Sequence, residues 1–173
     1  MPLNVPVLSP VREKIAIRPL RRSDREPLRL LLEETGVFTA DEVGIALELI
    51  DIVLGKPEQN DYVIFVYEEA GVVTGYYCIG PTPATQGTYD LYWIAVAPAA
   101  HGRGIGGLLD EHAAEMIRSR GGRLVIAETS SRSQYDATRR FYIHRSYTEV
   151  ARIPGYYRPD DDLVVYGKYL VPQ

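Results

Sequence analysis

The sequence predicts one α/β domain in which helices cover a mixed, largely antiparallel sheet. The chain of 173 residues has the size of a single domain, and 46% of its residues are hydrophobic against 24% charged. The hydrophobic period is helical near the N-terminus and then changes to runs of β-branched and aromatic residues, without a repeat or a linker. We expect a poorly ordered tail over residues 1–13 and a single domain over residues 14–173.

Two capped helices follow a first strand, which is predicted at residues 15–18. Residues 23–26 and 39–42 each have the pattern of a capping box, Ser-x-x-Glu and Thr-x-x-Glu. An apolar stripe at helical spacing follows each box. The residues expected to be buried are Leu28, Leu31 and Leu32 in the first helix, and Val43, Ala46, Leu47, Ile50 and Leu54 in the second.

The rest of the chain predicts a hairpin, a central strand and two further helices. Strands are expected at residues 62–67, 72–79, 88–96, 124–127, 147–152 and 163–170, and helices at residues 104–120 and 134–144. Alternation places Asp90, Tyr92 and Ile94 on one face of the central strand and Leu91 and Trp93 on the other. The stripe of the third helix is Ile105, Leu108, Leu109, His112, Ala113 and Met116, and a loop with Pro154, Gly155 and Pro159 joins the last two strands.

Charge and composition exclude several classes of protein. A formal net charge of -4 argues against a strongly basic nucleic-acid partner. The sequence contains neither an apolar run long enough for a membrane span nor the start of a secretion signal, so we expect a cytoplasmic protein. Cys78 is the single cysteine, which fits a reducing compartment. The three histidines show no metal-ligand spacing, so no metal is expected; the 13 tyrosines suggest a wet cleft.

Four glycines lie in the turn between the central strand and the third helix, at Gly102, Gly104, Gly106 and Gly107. Glycines before a helix N-terminus leave backbone N–H groups free to hold a phosphate. The turn lacks the Lys-Ser/Thr of a Walker A loop. It matches the dinucleotide pattern G-x-G-x-x-G, but five residues separate Val96 from Gly102, whereas that pattern starts directly after its strand. A tight connection without a ligand is the remaining alternative.

The residues of this turn resemble a known family. Residues 101–106, His-Gly-Arg-Gly-Ile-Gly, are similar to the acetyl-CoA loop of the GNAT N-acetyltransferase superfamily, Gln/Arg-x-x-Gly-x-Gly/Ala, with His101 in place of Gln or Arg. Residues 138–147 resemble the family segment Ala-x-x-Leu/Phe-Tyr-x-x-x-Gly-Phe, although Ser146 replaces the glycine and Tyr135 a frequent asparagine. The resemblance covers residues 15–171 and implies the GNAT fold, with six to seven strands and four flanking helices.

The resemblance implies an activity and its reactants. The expected reaction is transfer of an acetyl group from acetyl-CoA to a primary amine, by direct attack in a ternary complex. The acceptor is a small molecule, a protein N-terminus or a lysine, and the protein is a monomer or a homodimer. Alternatives are another acyl chain, another nucleophile, or a non-catalytic module that binds acyl-CoA.

The resemblance also implies roles for particular residues. Tyr142 is the expected acid for the leaving thiolate, unless it only packs the helix. The base is Asp90, with Glu128 and a water relay as alternatives. Residues expected to bind the cofactor are Ile94, Ala95, Val96, His101, Gly102, Arg103, Gly104, Ile105, Gly106, Gly107 and Tyr135, with Val96 N–H facing the oxyanion. Residues expected to bind the acceptor are Tyr92, Tyr156 and Tyr157.

Overall fold

A computed structural model describes residues 15–171, which form a seven-stranded sheet and four α-helices. The predicted tail, residues 1–13, lies outside the described part of the chain. The elements are, in chain order, β1 (Ile15–Pro19), α1 (Arg25–Glu34), α2 (Ala40–Gly55), β2 (Val63–Glu69), β3 (Val72–Pro81), β4 (Thr88–Val96), α3 (Ile105–Ser119), β5 (Leu124–Ser130), α4 (Asp136–His144), β6 (Thr148–Arg158) and β7 (Asp161–Tyr169). The predicted fold class is confirmed.

The sheet has the order β1-β2-β3-β4-β5-β7-β6. Neighbouring strands are antiparallel except β4 and β5, which pair in parallel. That parallel ladder pairs only the first residues of the two strands, from Thr88 with Leu124 to Asp90 with Ile126. Beyond Asp90 the strands are not paired, which leaves an opening in the middle of the sheet.

Helices pack on both faces of the sheet and create two apolar cores. On one face, α1 and α2 bury Leu28, Leu32 and Ile50 against the sheet residues Val66 and Tyr76. On the other face, α3 and α4 pack over the strands, and the residues of this core include Leu109, Ile117, Val125, Tyr142 and Val164. No helix within residues 15–171 is long and apolar enough to span a membrane.

Of the two predicted capping boxes, one is present and one is wrong. At α2, Thr39 Oγ1 accepts from Glu42 N at 3.2 Å and Thr39 N donates to Glu42 Oε2 at 2.7 Å. At α1, Ser23 makes no cap, because buried Asp24 occupies that place. Its carboxylate accepts from Arg21 N and from the Arg18 guanidinium instead.

Three further predictions differ from the structure. The alternation predicted for β4 is wrong, because Trp93 pairs with Cys78 and Leu91 with Ile79, so that Tyr92 is an extra residue, a β-bulge. Leu91 therefore packs in the same core as Ile94.

Leu108 is 48% exposed rather than buried. At the end of the sheet, Pro154 and Gly155 lie inside β6, since the ladder with β7 is irregular between Ile153 and Arg158.

Candidate active site

The edge of β4 faces the opening between β4 and β5. Ala97 N donates to Thr74 O at 2.8 Å, and the register pairs Gly75 with Val96. Hydrogen-bonded and non-hydrogen-bonded pairs alternate along an antiparallel ladder. The main-chain N–H and C=O of Ile94 and Val96 therefore point away from β3, into the opening, where β5 does not pair with them.

The glycine turn lies at the end of this edge. Gly102 and Gly104 have φ of +76° and +79°, the left-handed region that suits glycine. Gly104 precedes α3 and no side chain caps the helix. The first amide with a partner in the helix is Leu108 N, which donates to Gly104 O at 3.1 Å, so the preceding N–H groups are free for a ligand. A Cβ on Gly106 would lie 3.1 Å from the Phe141 ring, so α3 and α4 approach closely here.

A cleft of about 390 Å³ follows the turn and β4. Nine of the eleven residues predicted to bind the cofactor line it, all except Arg103 and Tyr135: Ile94, Ala95, Val96, His101, Gly102, Gly104, Ile105, Gly106 and Gly107. Residues of the α1–α2 connection and of the segment from Gln134 to Phe141 complete the lining.

Two of the side chains predicted to bind the cofactor contact protein groups. His101 Nε2 lies 2.8 Å from Val96 O, and Arg103 forms an ion pair with Glu69 at 2.6 Å.

A second cavity of about 870 Å³ lies beyond the first. The two share Phe38, Ile94, Gln134 and Thr138, which form a neck between them. The structure brings the predicted catalytic residues together on its wall, since Tyr142, Asp90 and Glu128 all line it. Of the predicted acceptor residues, Tyr92 and Tyr157 line it as well, whereas Tyr156 packs edge-on against Tyr157 with ring centroids 5.0 Å apart.

Tyr142 is held inside the protein by neighbouring rings. It is 5% exposed, and its ring centroid lies 5.2 Å from that of Tyr147 and 5.5 Å from that of Tyr166. Burial, together with the charge of Asp110, raises the pKa of the Tyr142 phenol above its ordinary value. Its hydroxyl is therefore neutral throughout the physiological pH range and can act as a proton donor.

Asp90 and Glu128 are within electrostatic reach of each other at the opening. Asp90 Oδ2 accepts a hydrogen bond from Thr82 Oγ1 at 2.7 Å. Burial and the charge of Asp90 raise the pKa of Glu128. Burial and Asp90 also raise the pKa of Tyr92 to about 12, and burial and Glu128 raise that of Tyr157 to about 12. This part of the larger cavity is consequently an acidic environment with neutral phenols around it.

Tyr135 lies on the wall of the larger cavity rather than in the cleft. Its hydroxyl donates to Glu42 Oε1 at 2.7 Å, which ties the start of α4 to α2. Gln134 Nε2 makes a parallel tie to Val37 O at 3.1 Å. The two contacts join the residues before α4 to α2 and to the α1–α2 connection, which contributes Phe38 to the neck.

Several lining residues were missed by sequence reasoning, among them Phe38, Glu42, Trp93, Arg132, Arg158 and Asp161. The sequence marked Glu42 only as part of the capping box at α2, and that role explained the residue without a place in the site. Phe38 and Trp93, whose rings are 6.1 Å apart, meet only because the α1–α2 connection packs against β4. Among residues 15–171, no group of three or more His, Cys, Asp or Glu side chains is arranged to hold a metal ion.

The sequence profile of the acetyltransferase (GNAT) domain matches residues 60–149. The fold and the match place this chain in the GNAT acetyltransferase family. A solved structure assigned to that family, from Desulfovibrio desulfuricans, is 39% identical with a TM-score of 0.88, over 91% of this chain and 100% of its own. The chain has no significant match among curated proteins.

More distant structures share the fold. An acetyltransferase structure from Salmonella typhimurium, solved with its cofactor acetyl-CoA, is 22% identical with a TM-score of 0.72, over 92% of this chain and 96% of its own. The ribosomal-protein-S18-alanine N-acetyltransferase from Escherichia coli is 17% identical with a TM-score of 0.72, over the same shares of the two chains. At these identities the likeness concerns the fold alone.

Proposed function

We propose that this acetyltransferase transfers the acetyl group of acetyl-CoA to a primary amine by direct attack within a ternary complex. One observation carries the proposal. The free edge of β4, the uncapped start of α3 and the acidic cavity meet at a single opening in the sheet. A donor and an acceptor can therefore reach the same point from opposite sides.

The donor side fits coenzyme A. The free amides from Gly104 to Gly107 are suited to the pyrophosphate, because a helix N-terminus favours an anion. The pantetheine arm carries amide groups, and these match the free N–H and C=O of Ile94 and the free N–H of Val96 as an added strand would. The thioester then lies at the neck, close to Tyr142. Val96 N–H is our candidate donor to the oxyanion.

The acceptor side must supply a free amine, because an alkylammonium group with a pKa near 10.4 is about 99.9% protonated at pH 7. Glu128, directly or through water, removes the proton, with Asp90 as the alternative. Glu128 is the better placed, since Asp90 is bound by Thr82 while Glu128 has no hydrogen-bond partner among the described residues. The amine nitrogen forms the C–N bond, the C–S bond breaks, and Tyr142 gives its proton to the sulfur.

The single cysteine, Cys78, has no role in the proposed reaction. Burial raises the pKa of Cys78 to about 12, so this thiol stays protonated and takes no part in the chemistry. We propose a cytoplasmic enzyme, active as a monomer or a homodimer, whose domain spans residues 14–173.

A screen of amines tests the proposal. The release of the CoA thiol from acetyl-CoA is followed with alkylamines, polyamines, amino acids, aminoglycosides and N-terminal peptides as acceptors. We expect release that depends on the acceptor, with the acetylated amine as product. Binding of acetyl-CoA by calorimetry without transfer to any amine would instead support a non-catalytic acyl-CoA-binding module.

A further inference from the structure

The larger cavity contains more negative than positive charge. Five carboxylates line it, from Asp41, Glu42, Asp90, Glu128 and Asp161, against two guanidinium groups, from Arg132 and Arg158. Within residues 15–171 none of the five carboxylates forms an ion pair. Buried carboxylates elsewhere in the molecule do, such as Asp24 with Arg18 and Asp110 with Lys168. The carboxylates of this cavity thus lack the paired cations that buried carboxylates elsewhere in the protein have.

Two of these carboxylates are fixed in place without a cation. Asp161, which is 5% exposed, accepts from Ser130 Oγ at 2.5 Å and Ser131 N at 3.2 Å. Glu42 accepts from Tyr135 Oη and Thr39 N, each at 2.7 Å. Burial of a carboxylate is costly unless a cation or strong hydrogen bonds compensate for it. These side chains are therefore preorganised anions on β7 and α2, whereas Asp90 and Glu128 belong to β4 and β5.

A separate observation indicates that a polar ligand belongs in this cavity. Thr129, which lines it and is 6% exposed, has an Oγ1 without a hydrogen-bond partner among the described residues. The same holds for Trp93 Nε1. Buried polar atoms are rarely left unpaired in folded proteins, so such atoms on a cavity wall point to a missing partner.

Aromatic rings lie among the carboxylates. Tyr135, Tyr157 and Trp93 line the cavity, and the pKa of Tyr157 is raised by burial and by the charges of Glu128, Asp161 and Glu42. The carboxylate of Glu128 and those of Glu42 and Asp161 thus face a common space that contains the Tyr157 ring. Aromatic faces bind both alkyl chains and ammonium groups.

We propose that the acceptor is a linear diamine or polyamine, whose second ammonium group binds at Glu42 and Asp161 while the first amine is acetylated beside Asp90 and Glu128. The alkyl chain between the two nitrogens packs on the rings of Tyr135 and Tyr157. This inference rests on the proposed function and adds the chemical class of the acceptor to it.

A series of matched acceptors tests the inference. Each α,ω-diaminoalkane is compared with the monoaminoalkane of the same chain length, with purified enzyme, acetyl-CoA and detection of the free CoA thiol. We expect kcat/KM for the best diamine to exceed that for its monoamine by about tenfold or more, equivalent to about 1.4 kcal/mol. The preference should fall as salt is added, because it is electrostatic.

Charge-removing variants locate the second ammonium group. Asp161→Asn and Glu42→Gln should lower kcat/KM for the diamine several-fold more than for the monoamine. Their control is Glu115→Gln, which removes the same charge at a side chain that is 74% exposed and does not line the cavity. We expect the control to leave the ratio of the two kcat/KM values unchanged.

The outcomes separate this inference from the proposed function. Equal kcat/KM for diamines and monoamines, or a strong preference for amino acids or peptides, would overturn the inference and leave amine acetylation intact. A diamine preference that survives both Asp161→Asn and Glu42→Gln would also overturn it. No transfer to any amine despite acetyl-CoA binding would refute the proposed function itself. If Asp161→Asn does not fold, Glu42→Gln decides alone, since Glu42 lies on a half-exposed helical turn.

Discussion

Tyr142 and Glu128 show opposite uses of the same physical effect. Burial disfavours the charged form of both groups and raises both pKa values. For Tyr142 the result is a phenol that stays protonated at physiological pH, which is the form that a proton donor needs. For Glu128 the result is a carboxylate of increased basicity, which is better matched to an ammonium group.

Replacing Tyr142 with phenylalanine removes the proposed acid and keeps the ring. We expect Tyr142→Phe to lower kcat by about 100-fold, the lower end of the usual contribution of an acid or base, with little change in the Kd of acetyl-CoA. Steady-state kinetics and calorimetry measure the two quantities. Tyr166→Phe is the matched control, because its ring packs on Tyr142. An undiminished kcat in Tyr142→Phe would leave this residue a packing role only.

The pH dependence of kcat/KM distinguishes the candidate bases. The values rise with pH as the free amine increases, and we expect a steeper slope below the raised pKa of Glu128, where the base must also lose a proton. Glu128→Gln should remove the steeper segment. Asp90→Asn should move it to lower pH, because the charge of Asp90 contributes to the raised pKa of Glu128.

The same profiles can contradict this assignment. If Asp90→Asn removes the steeper segment and Glu128→Gln does not, the base is Asp90. If neither variant changes the slope, a water relay removes the proton without either carboxylate.

The end of β4 and the start of α3 together form the proposed donor site. The bulge at Tyr92 shifts the phase of β4, and the missing pair with β5 frees its edge. The glycine turn then reverses the chain so that α3 begins beside that edge. Both features are properties of neighbouring elements, and neither depends on a single charged side chain.

Gly104→Ala tests the turn. At a φ of +79° an alanine costs about 1 to 2 kcal/mol, so we expect the start of α3 to distort and the Kd of acetyl-CoA to rise. Gly71→Ala is the control, because Gly71 has a φ of +81° and also has open space around it, but lies in the β2–β3 turn. Equal effects of the two variants on Kd, measured by calorimetry, would argue against a donor site at this turn.

Asp110 connects the elements on one side of the sheet into a single body. This carboxylate, 1% exposed on α3, accepts from Arg145 Nε at 3.0 Å, Tyr147 Oη at 2.9 Å and Lys168 Nζ at 2.9 Å. The three donors come from the end of α4, the residue before β6, and β7. The position of α4, and with it of Tyr142, therefore depends on this cluster.

Asp110→Ala should destabilise the whole molecule. Removing one partner of a buried ion pair leaves the others unpaired, and we expect a loss of about 3 to 5 kcal/mol in the free energy of unfolding, measured with urea. Glu111→Ala, at the exposed next residue, should change it by less than about 0.5 kcal/mol. Similar losses in the two variants would mean that the cluster does not stabilise the fold.

The sequence by itself determined the order of the elements, the second capping box, the glycine turn and the family. These features are local, since a hydrophobic period, a cap or a run of glycines acts over a few residues. It also pointed to Asp90, Glu128 and Tyr142, which carry their chemistry in their side chains. The sequence did not predict which residues of β4 share a face, because the bulge depends on pairing with β3.

Only the tertiary structure decided what surrounds these residues. Asp24, which pairs with Arg18, takes the place of the predicted Ser23 cap, and the side chains of His101 and Arg103 contact Val96 and Glu69. The acidic cavity is assembled from α2, β4, β5 and β7, which are far apart in the chain. Its negative charge comes from side chains on segments that are distant in the sequence, so no local sequence pattern predicts it.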